Sequence, residues 1–284
     1  MLGFIVDAFV TEKNFSGNPA GVCLIPSDKT LSDDLMQNIA SELKHSETAF
    51  VQILSSEEGV LSCSLRWFTP TTEVELCGHA TLASAAALCF AKYWNPSAFS
   101  TVKFHTRYSG DLFVQAVDDH SFQMDFPLLP VEQIKESISE ELLTALGLLR
   151  EQVVYFGKTK FDIFICVQNQ TVVEKLVPAF DMLLHIPGVG RGVVITSLAN
   201  NTQDADFCSR FFAPWTGVSE DPATGSAHCS LGYYWSLQLG KSQLCGIQLS
   251  SRRGRVSVTV DSHKSRVKLG GETRVVFSGC FPFL

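Results

Sequence analysis

Short apolar stretches, some alternating with polar residues and some continuous, are separated along the chain by glycine, proline and charged clusters, and a few stretches carry helical spacing. Residues 3–9 and 20–25 read as strands flanking a Phe15-Ser16-Gly17-Asn18-Pro19 turn. Ser32 followed by Asp33 and Asp34 marks a helix start, with a cap oxygen for the free amides and acids at the positive end. Leu35, Ile39 and Leu43 then share one face, and the helix stops near Lys44. His45-Ser46-Glu47 is a short junction into a strand over 48–54, and 61–68 is a further strand followed by a loop over 70–75. Residues 78–94 have a helical pattern that is apolar almost all round, so that helix must be enclosed by other structure. Strands over 102–107, 111–117 and 121–126 complete the first half, and Pro127 and Pro130 bracket a linker.

The second half opens with a helix near 139–146, for which Gly147 supplies a left-handed stop. Strands near 153–156 and 161–167, a short helix over 172–177, and strands over 192–197 and 205–212 follow. A second all-apolar helix runs from about Gly225 to Leu239, and the tail is strand-like over 255–260, 266–269 and 274–278.

One motif occurs twice. Arg66-Trp67-Phe68-Thr69-Pro70 lies over Arg210-Phe211-Phe212-Ala213-Pro214 without a gap. A polar loop and a glycine at a helix start follow in each copy, Gly78 in the first and Gly225 in the second. The helices continue as His79-Ala80-Thr81-Leu82 and Ser226-Ala227-His228-Cys229. A repeat of this long period predicts a duplicated lobe rather than a solenoid of short units, with the active site where the copies meet. Each helix start has free backbone N–H groups and a positive dipole end, suited to a carboxylate or an enolate oxygen. The alternative is two ordinary buried helices whose starts are capped internally by Thr224 or Ser226.

The 284 residues, 45% hydrophobic and 18% charged, fit a globular chain of two lobes. A net charge of −7 and the lack of a basic stripe argue against nucleic acid as a partner. Arg252, Arg253 and Arg255 read as a solvated turn. The nine cysteines show no CxxC pair and no zinc spacing, so no metal is expected, and Cys89, Cys166 and Cys229 lie in apolar runs. Buried free thiols in a reducing cytosol account for them. The apolar stretch over 80–91 is too short to span a bilayer, so no membrane partner is expected.

The candidates for chemistry cluster near the repeat. Glu47 lies at a helix–strand junction. Asp221 precedes the second helix, although Thr224 is better placed to cap it. His79, at the first helix start, can donate or accept hydrogen bonds to a substrate. Cys77 is a thiol at a helix N-terminus, a position that activates thiols. Thr224 holds the corresponding place in the second copy, so a two-thiol racemase lacks one of its pair. Gly188-Val189-Gly190-Arg191-Gly192 reads as a turn rather than a nucleotide-binding loop.

With Gly17-Asn18-Pro19, Ser46-Glu47-Thr48-Ala49-Phe50, Arg66 to Pro70, Cys77-Gly78-His79-Ala80-Thr81, Arg210 to Pro214 and Glu220 to His228 in this order, the chain resembles the PhzF-like family of phenazine biosynthesis. The resemblance implies an α+β, diaminopimelate-epimerase-like fold. Two pseudo-symmetric lobes would each wrap an antiparallel, barrel-like sheet around a central apolar helix. The lobes would be residues 1–127, joined by a C-terminal strand over about 270–284, and residues 128–269. It also implies a cofactor-independent isomerase that moves a proton on a small carboxylate-bearing, amino-acid-like substrate, and a homodimer. By resemblance Glu47 is the acid/base. Asn18, His79, Asp221 and Ser226 hold the substrate, and the amides of Gly78 and Gly225 bind its carboxylate. Two other readings stand beside this one: an amino-acid epimerase using Cys77 and a second base, and a non-catalytic binding or regulatory protein on the same fold.

Overall fold

The structure, a computed structural model, describes residues 1–57, 59–97, 100–201 and 204–282. Phe283 and Leu284, the end of the expected C-terminal strand segment, lie outside the described residues. The chain divides into two compact units, Met1–Asp125 with Gly270–Leu284, and Phe126–Leu269.

The first unit opens with strands β1 (Leu2–Ala8) and β2 (Asn18–Ile25), helix α1 (Asp33–Leu43) and strands β3 (Thr48–Glu57), β4 (Val60–Phe68) and β5 (Glu73–Val74). Helix α2 (Gly78–Phe90) and strands β6 (Thr101–Thr106), β7 (Asp111–Ala116) and β8 (Ser121–Pro127) follow, and β8 leads the chain into the second unit. There the order is β9 (Glu132–Gln133), α3 (Glu140–Leu146), β10 (Val153–Lys158), β11 (Ile163–Val167), α4 (Gln170–Lys175), α5 (Phe180–Leu183), β12 (Val193–Leu198), β13 (Phe207–Ala213) and β14 (Val218–Glu220). Helix α6 (Gly225–Leu239), β15 (Gln243–Gln248) and β16 (Gly254–Asp261) complete it, and β17 (Arg266–Cys280) returns to the first unit, where it pairs antiparallel with β1.

The expected purely antiparallel sheets are a correction. In the first unit β2 pairs parallel with β3 and β4 parallel with β6, while β3 and β4 are antiparallel. The second unit repeats this: β11 pairs parallel with β12, β13 parallel with β15, and β12 and β13 are antiparallel. Parallel neighbours need a crossover, and the helices provide it. Helix α1 links β2 to β3 and α2 lies between β4 and β6. In the second unit α4 and α5 link β11 to β12, and α6 lies between β13 and β15.

Local chemistry sets the helix ends. Ser32 accepts a hydrogen bond from the Leu35 amide and Ser139 from that of Leu142. Lys44 and Gly147 stop their helices in the left-handed conformation. Helix α2 ends at Phe90, four residues before the expected Trp94. Lys92 turns left-handed, and the amides of Tyr93 and Trp94 both fold back onto the Leu88 carbonyl. That turn buries Trp94 beside Phe122. Other expectations shift as well. The 70–75 loop contains β5, the segment after Pro127 is held by the Leu128 amide on the Ser265 carbonyl, and the three-part tail includes one continuous strand, β17.

The two apolar helices pack on the strands of their own units. Helix α2 is buried from His79 to Leu88 and packs on β1, β2 and β3. Helix α6 packs on β15 and β16. A Cβ at Gly232 would come within 2.7 Å of Val258, so α6 needs glycine there to approach β16. Each fully buried leucine of α2, Leu82 and Leu88, contributes roughly 1.5–3 kcal/mol by leaving water.

Candidate active site

The repeated arginines anchor the loops that lead to the two helix starts. Arg66 donates from Nε and Nη2 to the two carboxylate oxygens of Glu73 at 2.7 and 2.8 Å, and its guanidinium lies over Phe68. Arg210 does the same to Glu220 at 2.7 and 2.9 Å and lies over Phe212. Glu73 is on β5 and Glu220 on β14, two short strands that the sequence did not reveal. A two-pronged arginine–carboxylate pair fixes geometry as well as charge, so each loop is held against the strand bearing its arginine.

At the start of α2 the cap position is Cys77, with no side-chain cap bond. Its carbonyl accepts from the Thr81 hydroxyl at 2.7 Å and from the Thr81 amide. The Cys77 sulfur lies 3.4 Å from Nδ1 of His79. On the other side of the ring, Nε2 lies 3.4 Å from Oε2 of Glu47. The two atoms are not aligned as a hydrogen bond, and both are buried without one. His79 is 7% exposed and the Glu47 side chain 20% exposed, so the glutamate is the more open of the two. The neighbouring hydroxyls of Ser46 and Thr48 are likewise buried without a hydrogen bond. Glu47 is placed by its own backbone, whose carbonyl accepts from the Gly21 amide as β3 begins. Asn18, fully buried, opens β2 opposite Ala8. Gly17 before it has φ +76°, and a Cβ there would collide with the Ala8 carbonyl oxygen, which explains the glycine of that turn.

The start of α6 is organised differently. Thr224 is the cap residue, but its hydroxyl does not cap the helix, a correction to the sequence expectation. It donates instead to Oδ2 of Asp221 at 2.5 Å, a stronger acceptor close behind it in the chain. Neither Thr224 nor Ser226 forms a side-chain cap. Gln248, fully buried on β15, ties the loop together. Its Oε1 accepts from the Thr224 amide, and its Nε2 donates to the Asp221 carbonyl at 2.6 Å and to the Thr224 hydroxyl at 3.1 Å. Beside Ser226, Arg191 donates to its hydroxyl at 3.4 Å, holds the buried carboxylate of Asp162 and stacks on Phe161. Burial raises the Asp162 carboxyl above its ordinary range, and Arg191 pulls it back.

His228, one turn into α6, donates from Nδ1 to the Thr224 carbonyl at 2.8 Å. A carbonyl can only accept, so Nδ1 carries the proton and the buried Nε2 is a bare acceptor without a hydrogen bond. Burial pushes His228 down to about 4.

The structure thus brings Glu47, Cys77, Gly78 and His79 together in the first unit, and Asp221, Thr224, Gly225 and Ser226 together in the second. Sequence reasoning missed Gln248, Asp162 and the role of Arg191. The nine cysteines are free thiols. Burial pushes Cys23, Cys63 and Cys229 up to about 12, and Cys166 and Cys208 up to about 11, which keeps them inert as core residues. Among the described residues, no helix is long and apolar enough to cross a membrane.

A mixed α+β sheet with an unpaired buried carboxylate–imidazole couple at a helix start is the class that fold and site define. Residues 6–279 match the Phenazine biosynthesis-like protein family, and the chain belongs to it. It is 41% identical over 288 residues to a phenazine biosynthesis-like domain-containing protein of Bos taurus, covering 97% of each chain. It is also 41% identical over 276 residues to an uncharacterized isomerase of Halalkalibacterium halodurans, covering 96% of this chain and 95% of that one. The crystal structure of a PhzF-family phenazine biosynthesis protein from Enterococcus faecalis superposes with a TM-score of 0.85 at 36% identity, covering 98% of this chain and 97% of that one.

Proposed function

We propose that this chain is an isomerase that shifts a proton on a small carboxylate-bearing metabolite without a cofactor, with Glu47 as the acid/base. The observation that carries this reading is the couple of Glu47 Oε2 and His79 Nε2, 3.4 Å apart, each buried without a hydrogen bond. An unsatisfied buried polar group costs about 1–3 kcal/mol, and native folds keep such groups where a ligand or a reaction uses them. The isomerase name of the Halalkalibacterium relative supports the same class.

In this reading the Glu47 carboxylate takes a proton from one carbon of the substrate. The electron pair left behind spreads into the adjoining unsaturated, carboxylate-bearing system, and Glu47, after its carboxyl proton exchanges with solvent, delivers a proton to a second carbon. No atom is gained or lost, and no electron leaves the substrate. His79, Asp221 and Ser226 hold the substrate, Asn18 assists, and the amides of Gly78 and Gly225 receive a carboxylate, which the lack of side-chain caps at both helix starts leaves them able to do. An epimerase reading draws on the Cys77 sulfur beside His79 Nδ1. It needs a second base, and Thr224 stands where a second thiol would be.

The test is a panel of unsaturated, amino and hydroxy carboxylates incubated with the protein in D2O and followed by proton NMR and mass spectrometry. The expected product is an isomer of its substrate carrying one solvent-derived deuterium on carbon. A product that differs by an added or lost group contradicts the proposal.

A further inference from the structure

The same residues support an inference that goes beyond the proton shift and stands whether or not Glu47 moves a proton. The carboxylate of Glu47, the sulfur of Cys77 and a ring nitrogen of His79 lie within 4.8 Å of one another. A tetrahedral zinc ion with bonds of about 2.0–2.3 Å to oxygen, nitrogen and sulfur holds its ligand atoms roughly 3.3–3.8 Å apart. One ion takes one nitrogen of the ring, either Nδ1, 3.4 Å from Cys77 Sγ, or Nε2, 3.4 Å from Glu47 Oε2, so one ligand pair already falls in that range and the third ligand atom lies within 4.8 Å. A rotation of the remaining side chain would bring in the third ligand. The second observation is independent of spacing: His79 Nε2 and Glu47 Oε2 are buried donor atoms with no hydrogen bond to surrender. We propose that Glu47, Cys77 and His79 form a binding site for a borderline divalent cation of the zinc type.

The donor set decides the class of ion. Thiolate with imidazole favours zinc and its neighbours, while magnesium and calcium prefer sites made of oxygen alone. Thiolate and carboxylate together cancel the charge of a divalent ion, with a neutral imidazole as the third ligand. Three protein ligands leave a fourth position open for water or a small carboxylate. The positive end of α2 opposes a cation, so the site binds more weakly than a four-ligand structural zinc site and the ion is removable by chelators. Sequence spacing could not reveal the set, since Glu47 lies far upstream of the Cys77-Gly78-His79 segment.

Cobalt(II) is the probe, because a thiolate ligand gives it a near-ultraviolet charge-transfer band. Titration of the full chain, in a Cys280→Ser background that removes the exposed thiol, is expected to saturate at one ion per chain with that band present. Cys77→Ser abolishes the band, and His79→Gln and Glu47→Gln each weaken binding at least tenfold. No saturable site, or a band that survives Cys77→Ser, overturns the proposal. A second measurement needs no variant at Cys77. Zinc is expected to protect Cys77 from iodoacetamide, read by peptide mass spectrometry, and chelation to restore its alkylation. Equal Cys77 labelling with and without zinc overturns the proposal.

Discussion

The starts of α2 and α6 share a scaffold and differ in how their polar groups are satisfied. Each follows an arginine clamped by a carboxylate, each lacks a side-chain cap, and each has the cap residue's carbonyl bound by a side chain one turn on, Thr81 in one and His228 in the other. At α6, Gln248, Thr224 and Asp221 form a closed network, beside which Nε2 of His228 is buried without a hydrogen bond. At α2, Ser46, Glu47, Thr48 and His79 each leave a buried polar atom without a hydrogen bond. One start is therefore built as a rigid frame, while the other keeps its binding capacity in reserve. The duplicated motif supplies two helix ends of the same kind, and the side chains around them divide the work.

The clamps provide the largest test of this contrast. Arg210 is 11% exposed and also donates to the carbonyls of Val173 and Leu176, whereas Arg66 is 22% exposed and shares Asp33 at the surface. Arg210→Met is expected to destabilise the fold by about 3–5 kcal/mol because it leaves the partly buried Glu220 carboxylate and the carbonyls of Val173 and Leu176 without their donor. Arg66→Met is expected to cost less, with both read from urea denaturation midpoints. Equal losses would break the comparison.

The next effect is pH-dependent and belongs to α6. Burial pushes His228 down to about 4, below the roughly 6.5 of an unfolded histidine. The unfolded chain therefore takes up a proton first as pH falls. This contribution to stability is whole above about pH 6.5 and is lost as pH falls from there towards 4, a change on the order of 3 kcal/mol. Thr81, its counterpart on α2, does not titrate. The stability difference between the wild type and His228→Gln should therefore shrink on acidification through that window. A difference independent of pH would show that His228 is not held neutral.

Smaller changes sharpen the contrast between frame and reserve. Gln248→Leu leaves the Thr224 amide and the Asp221 carbonyl without their partner and is expected to cost about 1–3 kcal/mol. Cys77→Ala removes no cap bond and is expected to cost less than about 1 kcal/mol. Thermal unfolding of the two variants side by side measures both, and a larger loss for Cys77→Ala would reverse the assignment.

What the sequence made legible follows from range. The cap at Ser32, the stops at Lys44 and Gly147 and the span of α6 are decided within a few residues, and all were readable. The parallel pairs were not, since pairing depends on partners brought together by crossovers. Strand β15 was hidden by Gly246 and by its polar ends, Gln243 and Gln248, and with it went the residue that ties the Asp221 loop. The Thr224 cap failed because a hydroxyl beside a carboxylate serves the charge before the helix. Arg191 sat in a segment whose glycines spoke for a turn, which it is, and nothing local announced that its guanidinium would bridge Asp162 and Ser226. Glu47 was named from family resemblance, and its approach to His79 is a tertiary fact that spacing does not encode.

The central claim is that the unsatisfied carboxylate at the α2 start moves the proton. The most direct measurement compares solvent-deuterium incorporation into a turned-over carboxylate by the wild type and by folded Glu47→Gln. The account predicts a loss of about 10²- to 10⁴-fold in exchange, the range general acid–base catalysis supplies, with the melting temperature little changed. Exchange at the wild-type rate in Glu47→Gln would contradict it.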